Sequence, residues 1–589
     1  MRSGRPLVLL VALLLPGCPL TTFDVAKNDG GAGGGGGGGA PAGMGGTSTS
    51  GGGLAGVGGD GTSAAPRPEN DRYVILQGEE LHRLSSSGVL ANDSPIGLVV
   101  TEFSTMRLAS FDANVELLAD GAFTFEPDPR FFGLYGVEYT VVNSDRVSAN
   151  ASIQISVVPT EIDLDAVIEG IGGFVVNGEP GAALGSALDG AGDVNDDGYA
   201  DVVIGAPGTT SGPGSAYLVF GKDDFEALDV ARLPPRTSER RFVSFSGGLQ
   251  DSLGVSVAGA GDVDRDGTDD LVLGAPGGSG RAYVVFTSGI AGHVTLPAEG
   301  GFTLEGDMAT VGVGSIVRGV GDVNADGTPD VLVSASNAGY GWIHVIFGTN
   351  LVPEEGLPAR GPVVEAAGLH LRAAATGDGF PLSASRAFDV NADGFEEVFV
   401  ASNSSFTLLL GGTSYPANAG EPRADGSSGG WSLARGGPAA PAAVASAGDV
   451  NGDGEVDVAY CEGVDFCRVV FGPPSTLATG WLVGGFASGE ALRVAGGGDV
   501  DGDGLSDVLF ADQEFAYLVY GKRTGHADVN VRSLENAGFS IRAAMGGTIT
   551  SVAMLGDVNA DGIGDYAIGD ATANEGAGSV FVVFGVPSE

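Results

Sequence analysis

From residue 169 onward, apolar-rich runs of five to nine residues return in groups of four, separated by acidic or glycine-rich breaks. In one group the runs are VSVAGAGDV at 255–263, DLVLGAP at 270–276, AYVVF at 282–286 and FTLEG at 302–306. Each has the length and the β-branched content of an ordinary strand, so a group predicts a four-stranded sheet. The second run is the most apolar: DVVIGAP from 201, DLVLGAP from 270 and DVLVSAS from 330 read as strands covered on both faces. Seven groups follow one another, each with an acidic phrase between its first and second runs, and these phrases begin 50 to 69 residues apart. A unit repeated at such a period buries its apolar faces against its neighbours. The expected fold class is therefore all-β, with a seven-bladed β-propeller over residues 169–589. The seventh group supplies only YAIGD and SVFVVFG after its acidic phrase, whereas an isolated run, GGFVVNG at 172–178, precedes the first group. That early run is expected to provide the fourth strand of the last blade and so cover an open edge.

Residues 69–159 follow a different rhythm. Period-two alternation at 73–76, 123–125, 137–141 and 151–157, with turn signals such as Asp120-Gly121 between, predicts a small β-sandwich ahead of the propeller. Residues 19–68 are mostly Gly, Ala, Ser and Thr, with seven consecutive glycines at 33–39. Such a composition buries too little apolar surface to offset its ordering entropy, so a flexible tether with an r.m.s. reach of about 35 Å is expected. Residues 1–18, MRSGRPLVLLVALLLPGC, place two arginines before an apolar run at 7–15 that is too short to span a bilayer, which is the form of an export signal.

The acidic phrase is DVNADG at 322–327, 389–394 and 557–562, and DVNDDG, DVDRDG, DVNGDG and DVDGDG from Asp193, Asp262, Asp449 and Asp499. Oxygen-bearing side chains stand at positions 1, 3 and 5, glycine at 6 and an acid at 9 in all seven. Hard oxygens at this spacing, with a carbonyl at position 7, suit Ca²⁺, which accepts six to eight of them in irregular geometry. Asp, Asn and Gly favour turns without any ion, but turn preference does not explain one spacing repeated seven times. An EF-hand loop begins in the same way and needs a Glu at position 12 between helices. Here position 12 is Ile204, Leu273 or Val333 within an apolar run, which excludes the helical form.

The units LGSALDGAGDVNDDGYADVVIGAP at 184–207 and LGVSVAGAGDVDRDGTDDLVLGAP at 253–276 resemble FG-GAP repeats, the blades of the integrin alpha-chain propeller. Phe-Gly returns as Phe220-Gly221, Phe347-Gly348, Phe471-Gly472 and Phe584-Gly585, softened to Leu410-Gly411 and Tyr520-Gly521, while Gly-Ala-Pro survives only in the first two units. The resemblance implies a β-hairpin loop closed around calcium by the acid at position 9. On that basis the first loop offers Asp193, Asn195, Asp197, the carbonyl of Tyr199, and Asp201. The second offers Asp262, Asp264, Asp266, Thr268 and Asp270, the third Asp322, Asn324, Asp326, Thr328 and Asp330, and the fourth Asp389, Asn391, Asp393, Phe395 and Glu397. The fifth offers Asp449, Asn451, Asp453, Glu455 and Asp457, the sixth Asp499, Asp501, Asp503, Leu505 and Asp507, and the seventh Asp557, Asn559, Asp561, Ile563 and Asp565. The resemblance also implies that partners bind the opposite face, where Tyr340, Trp342 and the loop at 209–215 are candidates for stacking on a sugar or anchoring a protein. GVLANDS at 88–94, DGAFTFEPDPRFFG at 120–133 and VEYTVV at 137–142 resemble bacterial cadherin-like or Ig-like modules. Leu15-Pro16-Gly17-Cys18 resembles a lipobox, which makes Cys18 the candidate for lipidation; an ordinary signal peptide is the alternative.

A net charge of -46 and a pI near 4.1 exclude nucleic acid as a partner and call for cations to offset self-repulsion. Cys461 and Cys467 fit either a disulfide of an exported protein or two buried thiols. No two of the five histidines have metal-ligand spacing, and a Gly-x-Ser-x-Gly match at 426–430 lies in a Gly/Ser-rich loop rather than a strand-turn-helix elbow. The expectation is a non-catalytic, calcium-binding lipoprotein anchored to the bacterial outer membrane, on its periplasmic or outer side, that recognises a protein or glycan ligand in adhesion. The alternatives are an envelope enzyme acting on polysaccharide through the propeller face and a structural scaffold.

Overall fold

The computed structural model describes residues 65–588 except 107–112, 209–211, 223–225, 232–240, 298–300, 307–309, 338–339, 349–359, 363–367, 373–380, 404, 413–429, 435–441, 464, 473–479, 488–490 and 525. The export signal, Cys18, nearly all of the glycine-rich tether and most of the Gly-x-Ser-x-Gly match lie outside the described residues. No helix among those described is long and apolar enough to cross a membrane.

The alternating segment forms two sheets. One has the order Asp71–Leu76, Ser148–Val158, Gly133–Val142 and Val99–Met106, and the other Leu81–Arg83, Phe123–Glu126 and Asn114–Leu117. Alternate residues enter the shared core, so that Phe123, Phe125, Val137, Tyr139, Ile153, Ile155 and Val157 are all buried, while Ser156 and Val158 at the end of their strand are buried as well.

Among the described residues the repeats fold into seven antiparallel sheets of four strands, the first strand of the third being split into Thr310–Val311 and Val317–Gly321. The first comprises Ala187–Gly192, Asp201–Ala206, Ser215–Val219 and Phe242–Ser246, and the second Ser256–Gly261, Asp270–Ala275, Arg281–Val285 and Phe302–Glu305. Five of the second strands are buried along their whole length, as their apolar sequence predicted, and those of the third and fifth sheets are buried up to Ser336 and Glu462, which are partly exposed. The first strand of each sheet packs against the first strand of the next, and Ser551–Gly556 of the last packs against Ala187–Gly192 of the first, so the seven strands follow one another around a closed ring.

Closure comes from the N-terminal side. Gly173–Asn177 pairs antiparallel with Ser579–Val583 in the register Val176↔Val580, which makes it the fourth strand of the seventh sheet. The sheets are then tied edge to edge. His293–Thr295, in the connection between strands three and four of the second sheet, adds in parallel to the first sheet, and Arg360–Pro362, Val529–Asn530 and Leu228–Asp229 make the corresponding additions to the second, fifth and seventh. Glu161–Asp163, just after the sandwich, does the same for the sixth. Short added strands of this kind cover edges that would otherwise template pairing with another chain. In the fifth sheet, Cys461 and Cys467 face each other on adjacent strands and are joined by a disulfide.

Val176 is fully buried in the closing strand. Val176→Asp places an unpaired carboxylate there and is expected to cost about 3 kcal/mol or more. It should lower the thermal midpoint clearly more than Val74→Asp at an exposed position of the sandwich, as followed by circular dichroism.

Candidate metal centre

The acidic loop joins the first and second strands of each sheet, and its side chains are spent first on its own backbone. At position 1, the Oδ2 of Asp193, Asp262, Asp322, Asp389, Asp449, Asp499 and Asp557 accepts the N–H of the glycine at position 6, at 2.7–3.0 Å. The Oδ1 at position 3, from Asn195, Asp264, Asn324, Asn391, Asn451, Asp501 and Asn559, accepts the N–H of position 5 at 2.8–3.2 Å. At position 5, the Oδ1 of Asp197, Asp266, Asp326, Asp393, Asp453, Asp503 and Asp561 accepts the N–H of position 7, carried by Tyr199, Thr268, Thr328, Phe395, Glu455, Leu505 and Ile563, at 2.8–3.1 Å. These nested turns curl the chain so that alternate side chains converge on one centre.

Two positions require left-handed backbone. Position 6 has φ of 80° to 96° and is glycine throughout. Position 4 is left-handed too, at φ of 55° to 74°, yet it holds Asp196, Arg265, Ala325, Ala392, Gly452, Gly502 and Ala560. The strain at the non-glycine residues is set against the fixed hydrogen-bond scheme.

Position 9 holds the loop to the rest of its sheet. Asp201, Asp270, Asp330, Glu397, Asp457, Asp507 and Asp565 are all 0% exposed. One carboxylate oxygen accepts the N–H of position 2 of its own loop: Val194, Val263, Val323, Val390, Val450, Val500 and Val558. The other accepts an N–H at the end of the third strand, from Gly221, Thr287, Gly348, Gly411, Gly472, Gly521 and Gly585. These are the glycines of the Phe-Gly dipeptides and of their variants Leu410-Gly411 and Tyr520-Gly521, with Thr287 in the second unit. A Cβ on Gly585 would lie 2.4 Å from the carbonyl oxygen of Gly564, and one on Gly348 2.1 Å from that of Pro329, so the close approach requires glycine. Thr287 turns the same proximity to use, its hydroxyl donating to the carbonyl of Asp269 at 2.6 Å.

Burial dominates the electrostatics at position 9. Desolvation pushes Asp201, Asp270, Asp330 and Asp457 up to about 7 and Glu397 to about 8, against the lowering effect of their two backbone donors. Asp507 and Asp565 are also raised far above the ordinary range by burial, and the acids at positions 1, 3 or 5 push in the same direction. The donors converge as a cation requires. In the second, fourth and sixth loops three carboxylates each bring one oxygen within 4.8 Å of the others: Asp262, Asp264 and Asp270; Asp389, Asp393 and Glu397; Asp499, Asp501 and Asp507. In the first, third, fifth and seventh loops the asparagine at position 3 donates Nδ2–H to Oδ2 of position 5 at 2.9–3.0 Å, which draws the same side chains together. The cluster is all hard oxygen, strongly anionic and partly desolvated, so the residues present fit a divalent cation.

Adjacent loops are also bonded to each other. The N–H at position 8 donates to the carbonyl at position 1 of the preceding loop: Ala200 to Asp557, Glu396 to Asp322, Ser506 to Asp449 and Gly564 to Asp499. Past the Phe-Gly glycines, Gly412, Lys522 and Val586 donate to Val323, Val450 and Val500 of the preceding loops.

Other expected site residues fared differently. Trp342 is half-buried, packs into the core between the second and third sheets and stacks on buried His344, with ring centroids 6.0 Å apart and planes 8° apart. It therefore serves packing rather than a free recognition surface. The side chain of Tyr340 and residues 209–211 lie outside the described residues. Strand register also sets His344 opposite His370, a neighbourhood that their separation in sequence concealed.

A ring of four-stranded sheets with acidic hairpin loops behind an Ig-like sandwich defines a β-propeller class of protein. The particular modules follow from comparison with known families: FG-GAP repeats match residues 184–219 and 253–285, and a bacterial Ig domain matches residues 63–156. The chain is similar to integrin alpha-M of Mus musculus, 40% identical over 101 residues that make up 17% of this chain and 8% of that protein. It is similar to integrin alpha-7 of Rattus norvegicus, 30% identical over 148 residues, 24% of this chain and 12% of that one. It is also similar to phosphatidylinositol-glycan-specific phospholipase D of Homo sapiens, 28% identical over 300 residues, 47% of this chain and 31% of that one. The chain thus carries FG-GAP repeats and a bacterial Ig domain, and it spans no more than about a third of the length of these relatives.

Because the position 9 acids bind protons more tightly when folded than when unfolded, their contribution to stability is full below the ordinary aspartate value of 3.8 and is lost as pH rises through about 7. In chelator, the melting temperature should therefore rise as pH is lowered from 8 to 6. Ala560→Gly relieves left-handed strain of about 1–2 kcal/mol while adding about 0.4–1 kcal/mol of unfolded-state entropy. A small net gain in melting temperature is expected by calorimetry.

Proposed function

We propose that this chain is a calcium-binding lipoprotein of the bacterial cell envelope whose propeller recognises a protein or glycan ligand in adhesion, without catalysing a reaction. The observation that carries the reading is the convergence of three carboxylates at the second, fourth and sixth acidic loops, on a hydrogen-bond scheme repeated at all seven. Residues at positions 1, 3, 5 and 9, with the carbonyl at 7, would hold the ions. Bound Ca²⁺ supplies positive charge where the fold has gathered and buried negative charge, and so stabilises by mass action. The protein's own residues fix the strands that carry the opposite face, leaving the connecting loops to vary.

The family supports the recognition half of the proposal. Integrin alpha FG-GAP domains bind divalent cations, and likeness to them favours ligand binding over chemistry. An acylated Cys18 and a glycine-rich tether would hold the folded part near the outer membrane while leaving its orientation free. The phospholipase named above sets the competing reading, that the propeller accompanies an enzymatic activity.

Calcium at millimolar concentration should raise the melting temperature, and Asp266→Ala should weaken that response; an identical curve with chelator would overturn the calcium assignment. Glycan and protein arrays probed with the full chain, with and without calcium, should give a calcium-dependent hit. Turnover of a polysaccharide or phospholipid by the purified chain would overturn the non-catalytic reading.

A further inference from the structure

The β-sandwich carries a second group of ligating side chains, chemically unlike the acidic loops. Leu81–Arg83 pairs antiparallel with Phe123–Glu126 in the register Leu81↔Phe125 and His82↔Thr124, and Phe123–Glu126 pairs in turn with Asn114–Leu117, with Asn114 opposite Glu126. Alternation sends Leu81, Phe123 and Phe125 into the core and leaves His82, Thr124 and Glu126 on the outer face. Glu80, one residue before the strand, falls opposite Glu126 on that same face. One ligand atom from each of Glu80, His82 and Glu126 lies within 4.8 Å of the other two.

Two contacts already orient the group. His82 Nε2 lies 3.2 Å from Glu80 Oε2. Asn114 Nδ2 donates to Glu126 Oε2 at 2.8 Å, which fixes that carboxylate from the third strand. Carboxylates directly opposite each other on paired strands repel, and among the described residues no lysine or arginine forms an ion pair with either glutamate. Arg83, the nearest basic residue in sequence, sits with its guanidinium over the Tyr73 ring, 5.0 Å from the centroid.

We propose that Glu80, His82 and Glu126 bind a first-row divalent transition-metal ion, with Zn²⁺ the natural probe. An imidazole nitrogen with two carboxylates is the donor set that zinc accepts at four-coordinate sites, whereas calcium prefers oxygen alone. Two carboxylates neutralise the ion and the ion removes their mutual repulsion. Three protein donors leave one position for water or for a donor from a docked molecule. Asn114 acts as a positioning residue by holding Glu126 in place.

The test uses the full chain in millimolar calcium, so that the acidic loops do not compete. Titration with zinc chloride by calorimetry should show one equivalent bound in the micromolar range, and Co²⁺ should give the absorption bands of a low-symmetry site. His82→Ala and Glu126→Gln should each weaken zinc about tenfold or more, Asn114→Ala by less, and none should change the calcium response of the melting temperature. Absence of zinc binding, or full affinity retained in either the His82 or the Glu126 variant, would overturn the proposal.

Discussion

The ring depends on a carboxylate that has been taken out of water. At the ninth position of every acidic loop, a fully buried Asp or Glu bridges the loop's second residue and the end of the third strand through two backbone N–H groups. Those donors satisfy the oxygens but do not neutralise the charge, which is why burial still raises the group toward neutral pH. A protein that buries one such group seven times needs compensation. The acids at positions 1, 3 and 5 aggravate the problem locally, and the same crowding creates an oxygen-rich pocket in which a cation would relieve it.

The consequence extends beyond single loops. The carbonyl at position 1 and the carboxylate at position 1 belong to one residue, which receives N–H groups both from its own loop and, in four places, from the next. The third loop has Pro329 at its eighth position, so it has no N–H with which to reach the second loop. The acidic end of the ring is thus linked turn to turn at four of its seven junctions, and Pro329 accounts for the missing bond between the second and third loops. The other end carries the strand connections, and the two are joined through second strands that are buried along all or nearly all of their length.

Edges are managed as carefully as charge. A strand from before the first repeat completes the seventh sheet, and short parallel additions lie against the outer strands of five sheets. The last of these, Glu161–Asp163, comes from the segment that leaves the sandwich, so the Ig-like module is tied to the sixth sheet by backbone pairing as well as by sequence.

By itself the sequence determined what depends on local pattern. Runs such as DVVIGAP could only be doubly covered strands, the repeated D-x-D/N-x-D-G-x-x-D spacing could only be a tight acidic turn, and GGFVVNG was the spare strand that a ring lacking one would need. It also held, unread, the pairing of the ninth acid with the Phe-Gly glycine: both recur in nearly every unit, but a carboxylate 14 to 20 residues from its backbone donor leaves no local signature. Only the tertiary structure decided that Asp201 is buried while Asp193 is not, that position 4 is left-handed even where it is alanine, that Trp342 packs rather than projects, and that Cys461 meets Cys467. Each of these is set by which strand lies alongside which, and hence by desolvation and close approach between residues that the chain itself keeps apart.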